Sequence, residues 1–309
     1  MWLLRLIRWP NLLIIILTQV LVKYCLVSPY LDQAGVSSQF AFLNFMLLIF
    51  VTVLLAAAGY IINDYFDLRI DRINKPSRMI LGKSIEARQG ILLHWIMNGV
   101  AVLLGFYLAY RVGTLKLGLV FPIIATLLWL YSARYKRSFL IGNVLVSFLS
   151  ALVVLVVWLF EYYMLHNLVN EHPVVFSELS IVVGFYAAFA FLVSLVREIV
   201  KDIEDIEGDT AAGCKTIPVR SGIGGAKNIA LALSLFTMLV LAAGQYLLLQ
   251  QGLKIIFWYY LIPVQLLMIN LLLQINKAVQ PPDFRAPGKL AKIIMVAGIL
   301  GMQLFSLTL

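Results

Sequence analysis

Long apolar runs separated by short polar breaks dominate this chain. About 20 consecutive apolar residues form one bilayer-spanning helix, and nine such runs follow one another along the sequence. None shows the alternating ten-residue segments that are typical of an outer-membrane barrel. The pattern therefore predicts an all-α, polytopic membrane bundle of about nine transmembrane helices. The predicted spans cover residues 10–27, 39–60, 91–110, 113–132, 138–160, 179–196, 228–249, 255–276 and 290–308.

The composition supports this prediction and excludes the main alternatives. Of the 309 residues, 62% are hydrophobic and only 13% are charged, whereas a soluble domain is about half apolar and a quarter charged. An ordinary soluble enzyme and a disordered chain are both excluded. Arg5 and Arg8 precede the first run, but the run is long and has no evident small-residue cleavage site, so we expect it to remain as a membrane helix.

The basic residues predict the orientation, because cytoplasmic loops collect Lys and Arg. Of the 24 basic residues, 20 lie at the amino end or in alternate loops, and only Lys23, Arg111, Lys116 and Lys254 do not. We therefore expect the amino terminus and the loop after each even-numbered span to face the cytoplasm. The net charge of +9 then reflects topology and contact with anionic membrane lipid. No nucleic acid and no obligatory protein partner are inferred.

The acidic residues are concentrated in two stretches that follow the second and the sixth predicted span. On a helix turning 100° per residue, the first stretch places its polar residues within an arc of about 100°. In the second stretch, the three aspartates share a face, whereas Glu204 and Glu207 point away. The acidic residues are Asp64, Asp67 and Asp71 in the first stretch, and Glu198, Asp202, Glu204, Asp205, Glu207 and Asp209 in the second.

A carboxylate run is often no more than a solvated helix face, but two features favour a binding site here. Stacked carboxylates beside a membrane repel one another and lose hydration unless a cation balances them. Aspartates four residues apart, with an Asn beside them and no His or Cys, form an all-oxygen ligand set that suits Mg²⁺. Two such stretches brought together across a bundle would clamp a diphosphate. Their similar placement also suggests two pseudo-repeat halves within one domain 1–309, roughly 1–133 and 134–309.

The motifs resemble those of the UbiA superfamily of intramembrane prenyltransferases. Asn63-Asp64-x-x-Asp67-x-x-x-Asp71, followed by Arg72 to Pro76, is similar to the first signature, and Asp205-x-x-x-Asp209 is similar to the second. The stretches 197–218 and Tyr131-x-x-x-x-Lys136 resemble the digeranylgeranylglyceryl phosphate synthase branch. The resemblance implies a multi-pass protein of a bacterial or archaeal plasma membrane, with a lipid-accessible cavity and cytoplasmic active-site loops.

The resemblance also implies a chemistry and a set of site residues. Mg²⁺ would hold a polyprenyl diphosphate, such as geranylgeranyl diphosphate, whose allylic C–O bond ionises before an acceptor captures the carbocation. The catalytic residues would be Asp67, Asp71, Asp205, Asp209 and Lys136. The diphosphate ligands would be Asn63, Arg72, Lys201, Arg8 and Tyr131. The metal ligands would be Asn63, Asp67, Asp71, Asp205 and Asp209, with Asp64 and Asp202 as second choices.

The acceptor and some competing functions stay open at this point. The branch resemblance favours a prenylglycerol phosphate as acceptor, while an aromatic or quinone precursor and an intramolecular terpene cyclisation are alternatives. A cation transporter is a different class, but its carboxylates would lie near the bilayer midplane on broken helices. A CDP-alcohol phosphotransferase would carry one compact aspartate signature, whereas this chain has two distant ones.

Overall fold

The structure is a computed structural model that describes residues 2–74 and 79–309. In this part of the chain, nine helices are long and apolar enough to cross a membrane, as the sequence predicts. The spans are α2 (Trp9–Gln33), α3 (Phe42–Phe66), α5 (Ala87–Arg111), α6 (Leu115–Ala133), α7 (Ile141–Met164), α8 (Pro173–Glu204), α10 (Ile217–Gln250), α11 (Lys254–Lys277) and α12 (Pro281–Thr308). The short helices are α1 (Trp2–Leu6), α4 (Leu68–Asn74) and α9 (Ile206–Ala211).

The bundle is organised around α8, which packs against α7, α10 and α12, while α3 packs mainly against α5. Aromatic side chains such as Phe45, Phe160 and Phe284 are fully buried between the helices. Large apolar side chains also cover the outside of the bundle, including Leu43 and Leu103, which are 75% and 73% exposed. An apolar exterior of this kind matches a lipid environment and would be an aggregation hazard in water.

Several helices extend well beyond the predicted apolar runs. The sixth span was expected over 179–196 but covers Pro173–Glu204, and the seventh was expected over 228–249 but covers Ile217–Gln250. Hydropathy marks where the chain leaves the hydrocarbon, whereas backbone hydrogen bonds carry a helix on into the polar region. Asn63, Asp64 and Asp202 therefore lie within the helices α3 and α8, beyond the ends of the spans 39–60 and 179–196 that were predicted.

One end of the bundle is closed by a buried ion pair, and we call this end the sealed end. Lys23, in a π-helical turn of α2, donates to the carboxylate of Glu161 near the end of α7. The same carboxylate accepts from Ser38 Oγ at 3.1 Å and from the backbone nitrogen of Gln39 at 3.2 Å. Lys23 is 3% exposed and Glu161 is fully buried, so α2, α7 and the α2–α3 connection are tied together away from solvent.

The opposite end carries α4, α9 and the polar connections, and we call it the motif end. The backbone nitrogen of Lys215 donates to the carbonyl of Arg137 at 2.8 Å, which joins the α9–α10 and α6–α7 connections. Arg137 Nη2 in turn donates to the carbonyl of Phe66 at 3.0 Å and so caps the last turn of α3. These contacts bring three connections together around both acidic stretches.

Candidate active site

The first acidic stretch lies at a break between α3 and α4. Asp67 lies at the break and has φ −88° and ψ 0°, yet backbone hydrogen bonds continue through it. Its nitrogen donates to the carbonyl of Asn63 at 3.0 Å, and the nitrogen of Asp71 donates to its carbonyl at 2.8 Å. Asn63 Nδ2 also donates to Asp67 Oδ2 at 2.9 Å. The i to i+4 register of Asn63, Asp67 and Asp71 is therefore kept across the break, although the three residues do not belong to one continuous helix.

The second acidic stretch repeats this geometry between α8 and α9. The nitrogen of Asp205 donates to the carbonyl of Lys201 at 3.0 Å, and the nitrogen of Asp209 donates to the carbonyl of Asp205 at 3.1 Å. Thr216 Oγ1 donates to Asp209 Oδ2 at 3.1 Å. Burial raises the pKa of Asp209, and the Thr216 hydrogen bond only partly offsets this rise. Because α4 packs directly on α9, the two stretches meet at the motif end.

Lys136 connects the first stretch to the α6–α7 turn. Its ammonium group forms an ion pair with the Asp67 carboxylate and donates to Asn63 Oδ1 at 3.2 Å. Burial by itself would lower the pKa of Lys136, but the Asp67 carboxylate outweighs burial and raises it above the ordinary value. Lys136 therefore remains a cation that is aimed at the centre of the aspartate motifs.

Gly142 makes this placement of Lys136 sterically possible. A Cβ atom at Gly142 would lie 2.5 Å from the carbonyl oxygen of Tyr135 and 2.9 Å from the Cα of Lys136. Both neighbours are backbone atoms, which cannot rotate away. The start of α7 therefore packs directly against the turn that presents Lys136.

Two of the predicted metal ligands have side-chain partners outside the two motifs, and their role as ligands stays a prediction. Asp64 forms an ion pair with Arg8 at 2.6 Å, and Asp202 Oδ2 accepts from Asn143 Nδ2 at 2.7 Å. On a helix the step from Asn63 to Asp64 turns about 100°, which is enough to direct Asp64 toward α2. Neither partner could be identified from the sequence, because each belongs to a different span.

Arg8 precedes α2 in a left-handed conformation, with φ 51°. Its guanidinium group lies 5.0 Å from the ring centroid of Tyr60, in a cation–π arrangement. Burial would lower the pKa of Arg8, but the carboxylate of Asp64 outweighs burial and raises it. Arg8 is thus a fixed cation at the entrance of the bundle.

An elongated cavity runs from the motif end into the apolar interior. Arg8, Asn63, Tyr131 and Lys201 line its polar end, and their role in binding a diphosphate stays a prediction. Arg72 does not line the cavity and is exposed on α4. The predicted catalytic residues do not line it either; these are Asp67, Asp71, Lys136, Asp205 and Asp209. The remaining wall is mostly apolar and reaches the middle of the bundle. It includes Ile14, Leu55, Ile124, Leu128, Val146, Leu149, Val153, Phe189 and Ile299.

Sequence reasoning missed three charged side chains and one amide side chain of this cavity: Arg197, Glu198, Lys292 and Asn11. Glu198 is buried and forms an ion pair with Arg197. A signal was present for Arg197, which precedes Lys201, Asp205 and Asp209 in successive steps of four. For Lys292 there was none, because one lysine near the start of a span is equally typical of membrane anchoring.

The donor set fits a hard cation that shares its ligands with an anion. Within residues 2–74 and 79–309, no three Asp, Glu, His or Cys side chains converge on one point closely enough to hold a metal ion. The seven predicted ligands therefore do not form a closed cage. Mg²⁺ typically takes only one or two protein carboxylates and completes its shell with water and phosphate oxygens. Two facing carboxylate groups beside Lys136 suit that mode, with Asp67 and Asp71 on one side and Asp205 and Asp209 on the other.

The fold and the site define a class: multi-pass membrane proteins with two aspartate motifs on adjoining helices beside a mostly apolar cavity. The chain belongs to the UbiA prenyltransferase family, whose model matches residues 25–293. The digeranylgeranylglyceryl phosphate synthase of Thermococcus sibiricus is 35% identical over 198 residues, or 62% of each chain. That of Methanothermobacter thermautotrophicus is 36% identical over 213 residues, which cover 63% of this chain and 68% of that protein. The chain thus spans slightly less than two thirds of the length of the first relative.

Solved structures extend the similarity over the whole chain. One solved structure is described as giving insights into digeranylgeranylglyceryl phosphate synthase in membranes. Its sequence is 26% identical and its TM-score is 0.65, and the match covers 100% of this chain and 98% of that chain. A UbiA homologue from Archaeoglobus fulgidus, solved with GPP and Mg²⁺, is 18% identical with a TM-score of 0.55, covering 98% and 99%. The second similarity concerns the fold alone.

Proposed function

We propose that this protein is a Mg²⁺-dependent prenyltransferase that transfers a geranylgeranyl group from its diphosphate to a prenylglycerol phosphate. One observation carries the proposal: α4 and α9, which follow matching helix breaks and carry the two aspartate motifs, pack against each other, and Asn63 and Lys201 beside these motifs line a long, mostly apolar cavity. The motifs and their cations suit a diphosphate, and the cavity suits an isoprenoid chain. Membership of the family and the similarity to digeranylgeranylglyceryl phosphate synthases support the choice of acceptor.

Different residues of this chain would bind the metal ion and the diphosphate of the donor. Asp67, Asp71, Asp205 and Asp209 would hold Mg²⁺, with Asn63 as a further oxygen ligand. When bound, the ion neutralises charge on the diphosphate and makes it a better leaving group. Lys136 forms charge-assisted hydrogen bonds, and these strengthen as the leaving diphosphate gains negative charge.

The cavity then protects the reactive carbon. As the allylic C–O bond breaks, the diphosphate leaves with the electron pair and the remaining allylic group becomes cationic. Tyr131 and Tyr60 place aromatic faces near the polar end of the cavity, where they can stabilise a cation. The apolar wall excludes water, so that the acceptor hydroxyl forms the new ether bond and releases its proton. Water would otherwise hydrolyse the donor.

We also propose an orientation and a membrane. The motif end and the amino terminus face the cytoplasm, since 20 of the 24 basic residues lie on that side in the predicted topology. The relatives named above come from archaea, so an archaeal plasma membrane fits best. The two halves 1–133 and 134–309 are proposed to be pseudo-repeats, each of which contributes one aspartate motif.

The test is turnover of purified protein in lipid nanodiscs, with Mg²⁺, geranylgeranyl diphosphate and geranylgeranylglyceryl phosphate, read by mass spectrometry. We expect Asp67→Asn and Asp205→Asn each to lower kcat by about a hundredfold or more, with the helical circular dichroism unchanged. Asp67→Asn should also lower the thermal unfolding temperature, because it removes the counter-charge of Lys136. Glu204→Gln is the matched control, because this carboxylate is adjacent to Asp205 in the chain but pairs with Arg285 at the surface. Full activity of either Asn variant, or activity that survives EDTA, would contradict the proposal. Prenylation of an aromatic acid in place of the glycerol phosphate would contradict the acceptor.

A further inference from the structure

Three polar residues from three different spans line the cavity and have no role in binding the donor. They are Asn11 on α2, Arg197 on α8 and Lys292 on α12. Lys292 Nζ donates to Asn11 Oδ1 at 2.6 Å, although the two residues are 281 positions apart in the chain. Both side chains are half-buried. The contact joins the first and last spans where the cavity wall passes between them.

This part of the cavity has an excess of positive charge. Arg197 is paired with Glu198, but Lys292 makes its hydrogen bond to a neutral amide, and within the described residues it forms no ion pair. Arg197 and Lys292 line the same cavity, so the positive charges of both side chains face one enclosed space. Half-buried like charges are costly unless an anion neutralises them. The arrangement is therefore that of a site prepared for a negatively charged group.

The cationic pair lies deeper in the bundle than the aspartate motifs. Steps of four residues separate Arg197, Lys201, Asp205 and Asp209. The helix α8 ends at Glu204, at the motif end of the bundle. With a rise of 1.5 Å per residue, Arg197 lies about 12 Å from Asp205 along the helix axis. Lys201, the predicted diphosphate ligand on the same helix, is about 6 Å from Arg197 along the axis, so an anion bound by Arg197 and Lys292 would lie about one turn deeper than the diphosphate.

We propose that Arg197, Lys292 and Asn11 bind the phosphate monoester of the acceptor. The identity of this ligand rests on the proposed function, whereas the anion site itself rests on the geometry. A guanidinium group, an ammonium group and an amide offer donors from three directions to a tetrahedral dianion. The subsite selects acceptors that carry a phosphate and holds the acceptor on the apolar side of the donor diphosphate. It gives the enzyme two phosphate sites of different chemistry, one built on carboxylates and one built on cations.

The first experiment measures binding in EDTA, without donor, in nanodiscs of neutral lipid. The probes are dodecylglycerol phosphate and dodecylglycerol, which differ only in the phosphate. We expect the native protein to bind the phosphorylated ether at least tenfold more tightly, and Lys292→Gln to lose most of this preference. Lys289→Gln is the matched control, since Lys289 is an exposed lysine one turn away on the same helix. Repeating the measurement with phosphatidylglycerol in the nanodisc distinguishes a phosphate monoester site from a site for anionic lipid headgroups, because only the latter would be saturated by the lipid.

The second experiment measures turnover with the phosphorylated and the unphosphorylated geranylgeranylglyceryl ether. We expect Lys292→Gln to lower the ratio of the two kcat/KM values at least tenfold, while KM for the donor stays within twofold. Equal binding of both probes by the native protein would overturn the subsite, as would a Lys292→Gln variant that keeps the preference or mainly loses donor affinity. A phosphate preference in binding without turnover of any acceptor would keep the subsite and refute the proposed function.

Discussion

The ion pair at the sealed end allows a quantitative test of what holds the bundle together. Glu161→Gln removes one charge and leaves the ammonium group of Lys23, which is 3% exposed, without a counter-charge. Removing one partner of a buried ion pair costs about 3–5 kcal/mol. We therefore expect the free energy of unfolding to fall by about that amount. Lys23→Met should cost a similar amount, since it leaves the carboxylate of Glu161 as the uncompensated charge.

The double variant separates the charge from the hydrogen bonds. In Lys23→Met/Glu161→Gln no charge remains, and the new carboxamide oxygen still accepts from the backbone nitrogens of Gln39 and Phe40, as Glu161 Oε1 does now. Replacing a buried ion pair by groups of similar volume is often neutral, so we expect the double variant to lie within about 1.5 kcal/mol of the native protein.

The assay is equilibrium unfolding in lipid–detergent bicelles, followed by tryptophan fluorescence. Glu171→Gln serves as the control, because this exposed carboxylate lies in the α7–α8 connection near the same end. It should change the free energy of unfolding by less than about 0.5 kcal/mol. A double variant whose destabilisation equals the sum of the two single losses would refute the reasoning, since the coupling of a true buried pair makes the double mutant better than additive.

Two further predictions concern the cavity. Gly142→Ala places a methyl group against the backbone of the Lys136 turn, and in nanodisc turnover it should lower kcat/KM for the donor at least tenfold with the helical circular dichroism unchanged. Gly184→Ala is the control and should leave kcat/KM unchanged, because a Cβ there meets no atom within 4 Å. Equal activity of both variants would argue against this mechanism. Phe189 lines both the main cavity and a second apolar cavity between α8, α10 and α11, so Phe189→Ala should join the two cavities. We expect the ratio of kcat/KM for a C25 donor to that for a C20 donor to rise at least fivefold, measured by competitive mass spectrometry. An unchanged ratio would show that another side chain limits chain length.

Local patterns predicted much of this molecule. Nine spans could be found because hydropathy is a property of each segment by itself. Asn63, Asp67 and Asp71 could be grouped because a step of four returns to the same helix face, and backbone hydrogen bonds keep that register across the break. Lys136 could be added only through the family resemblance, since its approach to Asp67 depends on the packing of α7 at Gly142.

Contacts between distant segments could not be predicted. Asp64 pairs with Arg8 and Asp202 with Asn143, and in each case the partner lies on a span whose position is unknown until the helices are assembled. The same holds for Lys292 and Asn11, at opposite ends of the chain. The helix ends were misplaced for a different reason: hydropathy falls at the interface, but the backbone of α8 stays helical to Glu204.

The sealed end has a consequence for the membrane in which the protein lies. The cavity wall reaches Phe121, whose ring stacks against that of fully buried Phe160 with centroids 5.9 Å apart, and Phe160 in turn meets Phe40 at the same distance. Behind these rings the charges of Lys23 and Glu161 neutralise each other. We therefore expect an ion that enters from the motif end to leave by the same end. In that case the bundle would bind highly charged reactants at one end without conducting ions across the membrane.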